Sequence, residues 1–185
     1  FLAFHHVAFQ VASIITTTGF ATVDFNLWPT IPKTILVLLM FIGACAGSTG
    51  GGIKVSRIVL LFRSLTKELS QSLHPNQVRK IHFEGRAVEH VVLRSVNVFI
   101  AAYILIFAIS VLLIGIDNYD LVTNFTAVAA TLNNIGPGLE LVGPAQNFGL
   151  FSNFSKLVLT FDMLAGRLEL FPLLLLFYRG TWKRF

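Results

Sequence analysis

Residues 96–116, VNVFIAAYILIFAISVLLIGI, contain no charged side chain. A helix of roughly 20 apolar residues matches the hydrocarbon thickness of a bilayer. This run therefore reads as a membrane crossing, and it restricts everything joined to it. Composition agrees. Of 185 residues, 55% are hydrophobic and 12% charged, against roughly 25% charged in an average soluble domain. Mean hydropathy is +0.75. Two further stretches have crossing length: 35–62, interrupted by glycine, and 157–178, which carries Asp162, Arg167 and Glu169. Segments 5–15 and 120–132 read as helices too short to span, which suits buried or re-entrant helices. The expected fold class is an all-α membrane protein.

Charge placement orients the chain. Eight basic residues lie between Lys54 and Arg94: these two with Arg57, Arg63, Lys67, Arg79, Lys80 and Arg86. Arg179, Lys183 and Arg184 follow the last apolar stretch, while the remaining connections hold only Lys33 and Lys156. By the positive-inside rule the 54–94 loop and the C-terminus are cytoplasmic, and 16–31 and 117–156 are external. The single cysteine, Cys45, offers neither a disulfide framework nor a metal signature. The sequence starts at Phe1 without an initiator Met, so a fragment of a longer protein is expected.

The order of elements repeats. A short helix (5–15), a polar turn (16–22) and a crossing (32–62) form one unit. A crossing (96–116), a short helix (120–132), a polar turn (133–138) and a crossing (157–178) form the same unit with its first crossing present. Such repeats around a central path are frequent in membrane transport proteins. The turns are TTTGF, 16–20, and NNIGPG, 133–138. A turn at mid-membrane depth survives only where it is packed in protein or lines a wet cavity. Its carbonyls can there replace the hydration shell of a cation, helped by the negative end of the helix before it. Glycine allows this geometry through its freedom to take positive φ. The alternative is an ordinary external turn, for which Thr, Asn, Gly and Pro are common residues.

The stretch GACAGSTGGGIKV, 43–55, interrupts an apolar run. It admits three readings: a phosphate loop, a linker, or a broken membrane helix. The phosphate-loop pattern G-x-x-x-x-G-K-[ST] fails at two positions, because Ile53 precedes Lys54 and Val55 follows it. Apolar flanks on both sides argue against a linker. A nucleotide-binding membrane enzyme or regulator built on 47–54 stays as the alternative function.

TTTGF, AGSTGGGIKVSR, NNIGPG and AGRLELFP occur in that order across the whole chain. Together they resemble the Trk/Ktr/HKT superfamily of potassium transporters, and within it the bacterial TrkH-type subunits. The resemblance implies four repeats of crossing, pore helix and crossing around one pseudo-fourfold pore. This chain would hold the end of the third repeat (1–68), a cytoplasmic loop (69–85) and the fourth repeat (86–185). It implies a pore-forming, non-enzymatic subunit for potassium transport in the bacterial inner membrane, crossing it several times. One filter glycine per repeat is implied, here Gly19 and Gly136. The carbonyls of Thr17, Thr18, Asn134 and Ile135 are then expected to face K⁺, flanked by Phe20 and Pro137. A filter with one glycine per turn is expected to form fewer ordered sites than a TVGYG filter and to separate K⁺ from Na⁺ less strongly.

Gly50 lies 31 residues after Gly19, and Arg167 lies 31 residues after Gly136. With connections of similar length, both sit at one depth, just cytoplasmic of the filter. The expected gate is a flexible intramembrane loop of Gly47, Ser48, Thr49, Gly50, Gly51 and Gly52, with Arg167 as an electrostatic barrier. An arginine at that depth needs water or a partner, and loop carbonyls would serve. An ion pair with Asp162 or Glu169 is the plainer reading, although offsets of five and two miss the favourable helical spacings.

The family also implies a homodimer and a cytosolic ring of nucleotide-binding regulatory subunits under the 63–94 loop. NAD or ATP would then bind that partner, with no cofactor on this chain and no nucleic-acid partner. Contact with anionic lipid is the alternative role for the loop. Passive channel and ion-coupled symport stay open. His5 and His6 suit a helix end or solvent better than a metal. NFT at Asn124 and NFS at Asn153 match glycosylation sequons, a pattern frequent by chance. Asn97 is expected to cap or to bond within the bundle. No nucleophile–base pair or metal-ligand spacing offers catalytic residues.

Overall fold

A computed structural model describes residues 1–43, 45, 47–48, 50–74, 81–83 and 85–167. Outside them lie Thr49, Arg79, Lys80, Glu169 and the basic C-terminal residues, with the part of the 157–178 crossing beyond Arg167. Six helices and two minimal strand pairs are seen: α1 (Leu2–Ile15), α2 (Thr30–Phe41), β1 (Ile42–Gly43), β2 (Ile53–Lys54), α3 (Val55–Leu73), β3 (His82–Phe83), β4 (Arg86–Ala87), α4 (His90–Ile114), α5 (Leu121–Leu132) and α6 (Asn153–Arg167).

The uncharged run forms most of α4. With its 3-10 extension to Asp117, it is the one helix among the described residues long and apolar enough to cross a membrane. Its 25 α-helical residues make about 37 Å at 1.5 Å each. The stretch 35–62 is divided. α2 stops after 12 residues, and α3 takes up the path at Val55. α3 also continues to Leu73, through the boundary expected at residue 68. Between the two helices, Ile42 pairs with Ile53 and Gly43 with Lys54 in parallel. Parallel pairing means that the chain leaves and rejoins its course in the same direction, so the described residues between Gly43 and Ile53 form a side excursion of one broken helix. The strand pairs are additions to an all-α expectation, two residues long in each strand. The second, His82–Phe83 with Arg86–Ala87, is antiparallel and rests on α3, where the Arg63 guanidinium donates to the His82 carbonyl.

Helix ends follow their local chemistry. Pro32 sits in the first turn of α2, where no intrahelical N–H bond is lost. Asp120 caps α5 by accepting from the Val122 amide at 3.0 Å. α5 is the centre of the molecule. Ala127, Val128, Ala129, Ala130 and Leu132 have no exposed surface, because α2, α4 and α6 all pack on this helix. Small residues permit the close approach that packing inside a bilayer requires. α6 comes nearest at Gly166, where an added Cβ would overlap the Leu132 carbonyl oxygen. Away from this end, the Ser110 hydroxyl of α4 donates to Asp162 Oδ1 of α6 at 2.7 Å, both buried.

The two units are joined on the side that charge placement assigns to the exterior. Asn26 Oδ1 accepts from the Glu140 amide at 2.9 Å, and Asn26 Nδ2 donates to the Glu140 carbonyl at 3.3 Å. Lys33 Nζ lies 3.9 Å from Glu140 Oε1. Within the second unit, Asp117 Oδ2 accepts from the Ser152 amide at 2.8 Å. That bond ties the exit of α4 to the start of α6.

The α5–α6 contact makes a direct prediction. Gly166→Ala drives a methyl group into backbone rather than into a movable side chain. Thermal unfolding of the detergent-solubilised protein should show a loss of about 1–3 kcal/mol, the usual cost of overpacking. An unchanged transition would mean that the two helices do not meet this closely.

Candidate functional site

α1 and α5 end in the same way. Thr16 and Asn133 are the last residues near helical geometry, at φ −83° and −93°. Thr17 and Asn134 follow in the left-handed region, at φ +54° and +55°. The Thr17 amide donates to the Ile14 carbonyl and the Thr18 amide to the Ser13 carbonyl; the Asn134 amide donates to Thr131 and the Ile135 amide to Ala130. This is the Schellman pattern of two bonds folded back over the last helical turn. Each turn then has a second positive φ at its glycine, +79° at Gly19 and +111° at Gly136. The correspondence extends to the capping side chains. Thr16 Oγ1 donates to the Ala12 carbonyl at 2.7 Å, and Asn133 Nδ2 to the Ala129 carbonyl at 2.7 Å.

The Schellman bonds occupy carbonyls of the helix and leave those of Thr17, Thr18, Asn134 and Ile135 out of the ladder. Thr17, Thr18, Asn134, Ile135 and Gly136 line one cavity of about 510 Å³. Gly19 packs on the Ile135 carbonyl so closely that any Cβ would overlap it, so the two turns are in direct contact. Lys156 is the only charged residue lining this cavity among the described ones. Its Nζ donates to the Gly149 carbonyl at 3.0 Å.

The glycine-rich excursion lies against the other side of the second turn. Gly51 packs on the Asn133 carbonyl, leaving no room for a Cβ, and Gly52 packs on Asn133 Oδ1. Ser48, Gly50 and Gly52 line a second cavity, of about 300 Å³, together with Lys54, Arg57 and Arg167. Gly47 stands at the outer edge of the excursion, with nothing near the position of a Cβ. The sequence argument for this proximity needs correcting. It took the two connections as similar in length, whereas they run 16–29 and 133–152, 14 residues against 20. Aligning α2 and α6 at their first residues instead sets Arg167 beside residue 44, where the excursion starts. Asp162 bonds to Ser110 rather than to Arg167. The phosphate-loop reading gains nothing, since the excursion follows a helix and a strand of only two residues, paired with the strand after the excursion and with no larger sheet among the described residues.

The sequence reading passed over Asn133 and Tyr103 as site residues. Tyr103, in the middle of α4, donates its hydroxyl to Asn133 Oδ1 at 2.8 Å, in a buried bond. A hydroxyl-bearing aromatic within the uncharged run was the available signal, since a buried Tyr O–H needs a partner. Asn97 lies exposed on α4 instead of bonding within the bundle. Asn124 is buried and donates to the Tyr119 carbonyl at 3.1 Å, which removes it as a glycosylation acceptor in the folded protein. Among the described residues no cluster of metal-ligating side chains occurs.

The family model of the cation transport protein TrkH matches residues 2–181. The Trk system potassium uptake proteins TrkH of Salmonella typhimurium and of Escherichia coli K12 are each 45% identical over 175 residues, covering 95% of this chain and 36% of their own length. TrkG of Escherichia coli K12 is 36% identical over 181 residues, covering 98% of this chain and 37% of its own. The crystal structure of the potassium transporter TrkH from Vibrio parahaemolyticus superposes with a TM-score of 0.89 at 44% identity, covering 98% of this chain and 38% of that one. The chain thus spans less than two fifths of the length of these relatives.

The two turns differ in one testable respect. A β-branched residue is strained at positive φ, whereas Asn tolerates it. Thr17→Asn, which copies the residue at the matching place in the second turn, should raise unfolding stability by about 1 kcal/mol. Equal or lower stability in a thermal melt would show that Thr17 is not held in this conformation.

Proposed function

The chain belongs to the TrkH family of cation transport proteins, and from that membership we propose that it supplies two quarters of a potassium-conducting membrane pore. The observation that carries this reading is the pair of matched helix-ending turns on one cavity. Each turn offers backbone carbonyls outside any helical ladder, the chemistry that can replace the water around a potassium ion. The relatives are named as potassium uptake proteins, which makes K⁺ the ion of choice.

In this reading Thr17, Thr18, Asn134 and Ile135 present filter carbonyls, while Gly19 and Gly136 supply the backbone turn. The excursion holding Gly47, Ser48, Gly50, Gly51 and Gly52 is the gate below the filter. Arg167 adds a positive charge that opposes a cation in a low-dielectric path. The rest of the pore comes from the other repeats of a longer protein in a bacterial inner membrane. Regulation by a cytosolic nucleotide-binding ring on the 63–94 side, and assembly as a dimer, complete the proposal. Residues 1–68 and 86–185 act as its third and fourth repeats, joined by 69–85.

The test is ion flux into liposomes by the full-length protein. Arg167→Ala and deletion of residues 47–52 should each raise K⁺ flux while K⁺ remains preferred over Na⁺. A tenfold rise would correspond to removing a barrier of about 1.4 kcal/mol. Gly19→Ala, which has no room for its methyl group, should instead reduce the preference for K⁺. Unchanged flux in well-folded gate variants removes the gate, and an unchanged preference in Gly19→Ala removes the filter.

A further inference from the structure

Asn133 stands where the two proposed devices meet. It is fully buried and held from three sides. Its Nδ2 donates to the Ala129 carbonyl of its own helix at 2.7 Å. Its Oδ1 accepts from the Tyr103 hydroxyl of α4 at 2.8 Å. Its backbone carbonyl carries Gly51. The next residue, Asn134, donates from Nδ2 to the Met163 carbonyl of α6 at 2.9 Å. A second line of contact reaches the same point from the far end of the excursion. Arg57, in the first turn of α3, lies 4.0 Å above the Phe99 ring, and Phe99 stacks with Tyr103 at 6.3 Å between centroids.

The first turn lacks this linkage among the described residues. Thr16, the counterpart of Asn133, keeps the bond to the carbonyl four residues back, but its other hydroxyl contacts, Thr18 Oγ1 at 2.8 Å and the Ser13 carbonyl at 3.5 Å, lie within its own turn and helix. Among the described residues, the second turn is the one hydrogen-bonded to α4 and packed on by Gly51 and Gly52.

We infer that Asn133 is a positioning residue for ion selectivity, transmitting the location of the glycine-rich excursion to the Asn134–Gly136 carbonyls. The inference rests on the filter-and-gate reading above and goes beyond it. An excursion that moves aside for conduction withdraws Gly51 and Gly52 from Asn133. The peptide plane between Asn133 and Asn134 then loses the contact on its carbonyl, and Asn133 is left with the Tyr103 hydrogen bond from α4 and the bonds to its own helix. Displacement of the gate thus alters which cation the filter prefers as well as whether ions pass. A gate independent of the filter would alter flux alone.

The experiment compares K⁺ and Na⁺ flux in liposomes for the full-length wild type, Tyr103→Phe, Gly51→Ala and the double variant. Tyr103→Phe removes one oxygen and keeps the ring, so folding is preserved, which size-exclusion and thermal melting check. The K⁺/Na⁺ flux ratio should fall roughly two- to tenfold, the scale of one buried hydrogen bond. Gly51→Ala should shift the ratio as well, since its methyl group meets the Asn133 carbonyl. In the double variant the changes should fall short of the product of the single ones, as expected for residues acting through a shared partner. A wild-type ratio in both folded single variants overturns the inference, as do effects on total flux alone or ratio changes that multiply independently. A wild type that does not distinguish K⁺ from Na⁺ overturns the filter reading itself, and this inference with it.

Discussion

The structure depends on a helix that ends inside the molecule. α5 stops at Leu132 with three helices packed around it, so its last carbonyls have no bulk water to face. Unpaired buried carbonyls are costly, and a helix end in lipid has few ways to avoid them. The Schellman bonds satisfy two, the side chain of Asn133 reinforces a third, and glycines from the excursion and from α6 cover the remainder at van der Waals contact. The turn that follows is consequently stiff. A stiff turn with carbonyls outside the ladder differs from a flexible one in that it cannot collapse around a smaller ion without losing packing.

The broken helix follows from the same constraint. A continuous helix from Thr30 onward would have passed the end of α5 with side chains on every residue. Gly51 meets the Asn133 carbonyl so closely that only hydrogen fits there, so this level requires glycine. Once the helix is interrupted for that purpose, its exposed peptide groups need a partner or a wet space. The cavity lined by Arg167, Lys54 and Arg57 provides such a space. The parallel bridge at Ile42–Gly43 and Ile53–Lys54 closes the base of the excursion and keeps α2 and α3 on one course.

Much of this was legible in the residues. The uncharged run gave α4, and Asp120 gave the start of α5 because its carboxylate caps the helix locally. The glycine in each polar turn marked both helix ends, since a positive φ is a local demand. What stayed hidden depends on contacts between distant segments. Nothing near Asn133 announces that Tyr103, 30 residues earlier, donates to it. The unequal connections could not be read from the spacing of two glycines, because an external loop lengthens without changing the helices it joins. The parallel bridge at the base of the excursion likewise pairs Ile42 with Ile53 and Gly43 with Lys54, residues whose local preferences do not specify a partner.

The near-identity of the two turns makes their difference informative. Both place a left-handed residue two before the glycine, and both bond the capping side chain to the carbonyl four back. In the second, an amide in place of the hydroxyl puts donor and acceptor on separate atoms, so Nδ2 keeps the cap while Oδ1 accepts from elsewhere. That acceptor is the atom to which α4 donates and on which Gly52 packs. The amide therefore makes Asn133 a junction between α4, the turn and the excursion.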